Sequence, residues 1–237
     1  VQSILPETND PEQIKATVKA FMAADMPAEL IELLEKIVLD GRRPEFSQNK
    51  DLQNLLILTA VKVTPDRVMD FVTRLDNYDA PDVANICVNA GLFEESLTIF
   101  KKFKHNVAAI QVLIEHLHDL KRARDFAEKS NEGEVWSKLA KAQLDQGEVR
   151  DAIASFLKAN DHEFFAEVIT AAERAEAFDD LVKYLQMARK KIKEPMIESE
   201  LLFAFAKTKK TAEIEEFIGS PNCAAIQVVG DRCFNEG

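Results

Sequence analysis

Chemistry would be sought first at the histidines. His162-Glu163-Phe164-Phe165-Ala166 begins like the helix of a zinc peptidase, but Ala166 stands where the second imidazole belongs. Two ligands one turn apart therefore cannot form. A helix would set His116 and His118 about 200° apart, on different faces, whereas metal ligands must converge. Exposed or core-edge imidazoles are the simpler reading. The acidic pairs Glu94-Glu95, Asp179-Asp180 and Glu215-Glu216 could serve as carboxylate dyads. All three fall early in expected helices, where negative charge complements the helix dipole. Gly91, Gly133 and Gly147 are isolated, so there is no phosphate-cradling loop, and no Gly-x-Ser-x-Gly elbow occurs. No catalytic residue, metal ligand or cofactor is assigned, and the chain is expected not to be an enzyme.

Cys87 sits in an apolar run and reads as a small buried hydrophobe. Cys223 and Cys233 have no neighbouring His, which disfavours a zinc site, and three scattered cysteines make no disulfide framework. The net charge of -11 and pI near 5.0 argue against nucleic-acid binding and against adhesion to an anionic membrane. No apolar run approaches the roughly 18 residues of a membrane span, and Val1-Gln2-Ser3 has none of the features of a signal peptide. A cytosolic protein is expected, and the lack of an initiator Met suggests a piece of a longer one. One local feature runs against the overall charge. Arg189, Lys190, Lys191 and Lys193 form a basic run, followed by Lys207, Lys209 and Lys210. A solvated helix end that favours cations explains it; a docking site for an acidic helix is the functional alternative.

The elements that must carry these residues are helices. With 7 Gly and 8 Pro in 237 residues, the turns of a β-rich protein could not be made. A weak repeat is present: a short helix, a tight turn, then a second helix opening on a hydrophobic or turn-forming residue, with apolar residues returning on one face. Phe93 is followed by Leu97 and Phe100, Val149 by Ile153 and Phe156, and Phe178 by Leu181 and Leu185. The opening positions are 27, 65, 93, 120, 149, 178 and 211. The spacings are 38, 28, 27, 29, 29 and 33 residues. Residues 40–50, with Gly and Pro among charged residues, explain the long first step as an inserted loop. First helices are expected near 11–24, 51–62, 81–90, 107–117, 133–145, 163–175 and 197–207. Asp10-Pro11 and Pro81-Asp82 mark helix starts, Gly91 and Gly147 mark turns inside pairs, and Asn131 and Ser220-Pro221-Asn222 mark breaks. Such helices are marginal alone, and stacked pairs share a core. Phe100, Phe126, Phe156 and Phe217 are expected to be buried wedges between pairs.

The period is shorter than that of tetratricopeptide or HEAT repeats. Leu30-Ile31-Glu32-Leu33-Leu34-Glu35-Lys36-Ile37, Arg74-Leu75-Asp76-Asn77-Tyr78-Asp79-Ala80-Pro81-Asp82, Val135-Trp136-Ser137-Lys138-Leu139-Ala140-Lys141-Ala142-Gln143-Leu144 and Leu181-Val182-Lys183-Tyr184-Leu185-Gln186-Met187-Ala188-Arg189-Lys190-Lys191 resemble the leg of clathrin heavy chains. The resemblance runs the length of the chain. It implies an all-α fold, a right-handed α-α superhelix of short antiparallel helix pairs, continuous over 1–237 and placed around the bend between distal and proximal leg. It also implies a structural coat role: legs pack beside neighbouring heavy-chain legs in the lattice of coated pits and vesicles, on the cytoplasmic face. Many weak contacts would sum by multivalency. The implied partners are other legs and the acidic clathrin light chain, with Arg189, Lys190, Lys191, Lys193, Lys207, Lys209 and Lys210 as its candidate contacts. The 237-residue piece would be monomeric and the whole chain a trimer. A helical-repeat adaptor of a tethering or sorting complex is the alternative; it should show a repeated apolar or basic stripe along the first helices, and none is seen.

Overall fold

The computed structural model describes residues 11–40 and 42–236, with side chains from residue 16 to residue 235 apart from Gly41. Val1-Gln2-Ser3 and Asp10 lie outside the described residues. The described residues form helices and turns, with no strand among them.

Two compact units follow one another, residues up to Val112 and residues from Leu113 on. In the first, α1 (Pro11–Ala23), α2 (Pro27–Val38), α3 (Pro44–Ser47), α4 (Lys50–Val63), a 3-10 turn (Pro65–Arg67), α5 (Val68–Arg74), α6 (Ala80–Asn89), α7 (Phe93–Lys102) and α8 (Asn106–Gln111) pack on near neighbours. In the second, α9 (Leu120–Ser130), α10 (Gly133–Asp145), α11 (Val149–Ala159), α12 (Phe165–Arg174), α13 (Phe178–Arg189), α14 (Pro195–Lys207), α15 (Thr211–Gly219) and α16 (Ile226–Glu236) do the same. Each of the seven opening positions inferred from the sequence is the first residue of a helical element.

A shared turn explains that regularity. A residue with left-handed backbone stands two places before six of the seven openings: Asp25, Gly91, His118, Gly147, Glu176 and Lys209. In five of these turns the next N–H closes onto a carbonyl five residues back, as in Leu92 to Cys87 (2.8 Å), Glu148 to Gln143 (2.9 Å) and Lys210 to Phe205 (3.0 Å). This is the helix-terminating motif glycine favours, and Gly91 and Gly147 take it at φ +79° and +80°. The other four bear side chains, so the turn survives a cost of about 1 kcal/mol at each non-glycine position. The turn at His118 is wider: Asp119 N–H reaches Leu113 O, six residues back (3.0 Å), because Val112–His116 winds as a π-turn. The fourth first helix is therefore α8 plus this π-turn, not one regular helix.

The apolar faces meet as the periodicity requires. Leu34, Leu56, Phe71, Ala84 and Ile99 are fully buried in the first unit, and Leu139, Phe156, Leu181, Tyr184 and Phe203 at least 99% buried in the second. Phe100, Phe156 and Phe217 are buried as expected. Phe126 is only half-buried, because α9 buries its alanines Ala123 and Ala127 instead. Cys87 is buried, and that burial pushes its thiol up to about 12.

Two further expectations change. The 40–50 insertion is not all loop: Arg43 and Pro44 start the one-turn α3, whose Phe46 is buried, and Lys50 already belongs to α4. Buried Gln53 fastens it, donating to Ser47 O (2.6 Å) and accepting from Asn77 N–H (2.8 Å). Glu94-Glu95 and Asp179-Asp180 lie in first turns, but Glu215-Glu216 lie mid-helix in α15, whose first-turn acid is Glu213. Beyond the Ser220-Pro221-Asn222 break, which stands, α16 buries Val229 against the second unit's core.

Candidate functional site

The basic residues fall into two groups, one where α13 ends and one where α14 turns into α15. The two runs lie at opposite ends of α14: Arg189 at the end of α13 pairs with Glu198 near the start of α14, and Lys210 after its end pairs with Asp179 at the start of α13. Arg189 closes the last turn of α13, where carbonyl dipoles favour a cation. The structure divides the seven cations into those used internally and those that are not.

Arg189 turns inward. Its Nε donates to Glu198 Oε1 at 2.9 Å, its Nη2 to Pro221 O at 3.4 Å, and its guanidinium stacks 4.4 Å over Phe217. The Glu198 side chain is 6% exposed. It also accepts the Cys223 N–H. Burial alone would push the Glu198 carboxyl up. Hydrogen bonds from Cys223 and Arg189 outweigh that and hold it below the usual carboxylate range. Lys191 Nζ donates to Asn160 O at 2.9 Å, capping the end of α11. Lys210 pairs with Asp179 at 3.4 Å, and the Lys207 ammonium lies 5.3 Å over the Phe203 ring.

Lys190, Lys193 and Lys209 remain. All three are exposed, and their side chains make no hydrogen bond or ion pair among the described residues. Lys209 projects from a left-handed turn residue at φ +54°, so its backbone position is fixed. Beside Lys190, Gln186, Arg189, Leu201 and Phe205 border an open groove of about 480 Å³, with the buried Leu201 and Phe205 as its apolar side. The arrangement is a short apolar groove with positive charge at one margin. It can bind an acidic, partly apolar segment; it holds no nucleophile with a base beside it.

Sequence reasoning named the two basic runs but not their internal partners or their separation along α14. Glu198 is a buried acid on a helix otherwise sunk by Ile197, Leu201 and Leu202. An acid on the apolar face was the available signal that a cation nearby would be consumed. Asn160 and Asp179 lie 31 residues from Lys191 and from Lys210, and no local pattern announces them. Among the described residues, no three His, Cys, Asp or Glu side chains are grouped to hold a metal ion, and no helix is long and apolar enough to cross a membrane.

A family model described as a region in clathrin and VPS matches residues 5–151 and 156–237. The chain is similar over all of its 237 residues to the clathrin heavy chain of Drosophila melanogaster and to that of Dictyostelium discoideum, at 57% identity in each case. To the probable clathrin heavy chain of Schizosaccharomyces pombe it is 47% identical over 234 residues. The chain spans about 14% of the length of each of these relatives.

Proposed function

From the premise that this chain belongs to the clathrin family, as a region of the heavy chain, we propose that it is a leg segment packing beside neighbouring legs to build the polyhedral coat of vesicles. One observation carries the reading: 57% identity to clathrin heavy chains along the whole chain. The architecture suits the task. Short pairs held by near-neighbour contacts bend gradually under load, and many weak leg–leg contacts sum to a stable but reversible lattice. The role is structural rather than catalytic, on the cytoplasmic face of coated pits. The whole chain is a trimer and the 237-residue piece alone a monomer. The direct test replaces the matching segment of the Drosophila heavy chain with this one and follows cage assembly by electron microscopy. Closed cages are expected; chimeric trimers that fold but never close would overturn the reading.

Within that coat, the basic residues at the two ends of α14 dock the acidic light chain. Lys190, Lys193 and Lys209 supply the attraction, and Arg189, Lys191, Lys207 and Lys210 hold the surface in shape. Charge reversal of the three exposed lysines should weaken light-chain affinity at least about tenfold at low salt, equivalent to about 1.4 kcal/mol. Unchanged affinity would remove the light chain from this surface while leaving the leg reading intact.

A further inference from the structure

The helix that the repeat pattern did not announce is fastened by a second, separate charge cluster. Arg232 of α16 reaches across to α14 and α12. Its Nη1 donates to both Glu200 oxygens, at 2.9 and 3.1 Å, and its Nη2 donates to Glu173 Oε1 at 2.6 Å. The guanidinium lies 3.6 Å over the Phe203 ring. Its side chain is 31% exposed, against 19% for Glu200 and 29% for Glu173. A single cation thus stands between two half-buried carboxylates. Two carboxylates forced onto one guanidinium are also close to each other, and carboxylates crowded in this way cannot both keep their charge cheaply.

We propose that Glu173 and Glu200 hold one proton between them under Arg232, and that this proton sets how firmly α16 is docked. With both acids ionised the trio carries a net charge of -1; with the shared proton it is neutral and Arg232 keeps an ionised partner. Burial pushes the Glu200 carboxyl up, Arg232 pulls it down, and Glu173 pushes it up again, leaving it above the ordinary value of 4.5. A carboxyl that binds its proton more readily when docked favours docking at low pH. That contribution is lost as pH rises through its docked titration point.

Arg232 and Glu173 are the charged groups that act on Glu200, and other cations of the adjoining elements have contacts of their own. Lys207, seven residues on along α14, lies 5.3 Å over the Phe203 ring. Arg189 of α13 is taken up by Glu198, and Lys210 before α15 pairs with Asp179 of α13. Among the described residues, α16 is also fastened by contacts that carry no carboxylate: Val229 is buried, Cys233 packs against the core, and the Ala225 N–H donates to Ser199 Oγ at 2.9 Å. Docking also decides what α16 shows. In the docked state Val228 and Phe234 point outward, 65% and 89% exposed.

Carbon-13 NMR titration of the glutamate carboxyls in the 237-residue chain reads the shared proton directly. Glu200 should titrate above 4.5, and Glu173→Gln should bring its midpoint down. Amide exchange across α16, corrected for intrinsic rates, should be several-fold slower at pH 5 than at pH 7, and Glu200→Gln should abolish that pH dependence. A Glu200 midpoint at or below the ordinary value, unmoved by Glu173→Gln, would overturn the proposal. So would α16 protection with the same pH dependence in the chain and in Glu200→Gln.

Discussion

Residues 44–102 and residues 160–232 obey the same apolar pattern but tie their helices together with different polar chemistry. In the first stretch several part-buried ties end on backbone groups or neutral amides, although Arg67 also pairs with Glu35 and Lys102 with Asp76. Gln53 bridges Ser47 and Asn77, Asn54 accepts the Asp79 N–H (2.8 Å), and Lys102 Nζ donates to the carbonyls of Val72, Thr73 and Leu75 at 3.2, 2.8 and 2.6 Å. Its ion pairs, such as Lys50–Asp79, are exposed and worth little. In the second stretch the ties end on carboxylates: Arg189 on Glu198, and Arg232 on Glu173 and Glu200. Backbone carbonyls keep their charge distribution at any ordinary pH; carboxylates do not. Two regions built on one repeat can therefore answer acid differently.

The largest effects test whether the apolar part is shared. Phe71→Ala and Phe156→Ala, each fully buried, should each cost about 3–5 kcal/mol in denaturant unfolding. Much unequal losses would mean that packing, not polar fastening, separates the regions. Next comes Glu198→Gln, which leaves the Arg189 guanidinium without its ionised partner and should cost about 2–3 kcal/mol at neutral pH. The Glu198 carboxyl is depressed on folding. Its stabilisation is present above the unfolded value and drains away as pH falls through the folded one. Wild type and Glu198→Gln should accordingly converge in acid, and a constant gap down to pH 3 would contradict the assignment. Smaller still is Lys102→Met, expected to cost about 1–2 kcal/mol through the end of α5, by the same amount at pH 7 and pH 5. Smallest is charge reversal at Lys190, Lys193 and Lys209, which should move stability by less than about 0.5 kcal/mol; a larger loss would show that these lysines belong to the fold and not to a docking surface.

Much of the architecture was legible because it is written locally. A residue two places before a helix start and a carbonyl five residues back lie within one turn, so the openings at 27, 93, 149, 178 and 211 could be read from side-chain spacing. Glycine marked the turn at positions 91 and 147 only. At Asp25, Glu176 and Lys209 the same backbone is imposed by packing on side chains that do not prefer it. Residues 44–47 were obscured because Pro and charge outweighed a single buried Phe46. The π-turn at 112–116 was obscured because winding differs there by one residue, within the uncertainty of any pattern. The two basic runs were legible as charge and illegible as geometry. Arg189 and Lys190 are adjacent and chemically alike, yet one is spent on Glu198, nine residues on, and the other faces solvent.

The most direct test of the contrast is native-state hydrogen exchange of core amides, read separately in α6–α7 and in α13–α14 and corrected for intrinsic rates, between pH 7 and pH 3.5. Protection in α13–α14 should fall more than in α6–α7, since the stabilisation from the depressed Glu198 carboxyl drains away as pH falls below the unfolded value. An equal fall in both stretches would contradict the claim that the buried Glu198 carboxylate sets the second stretch apart.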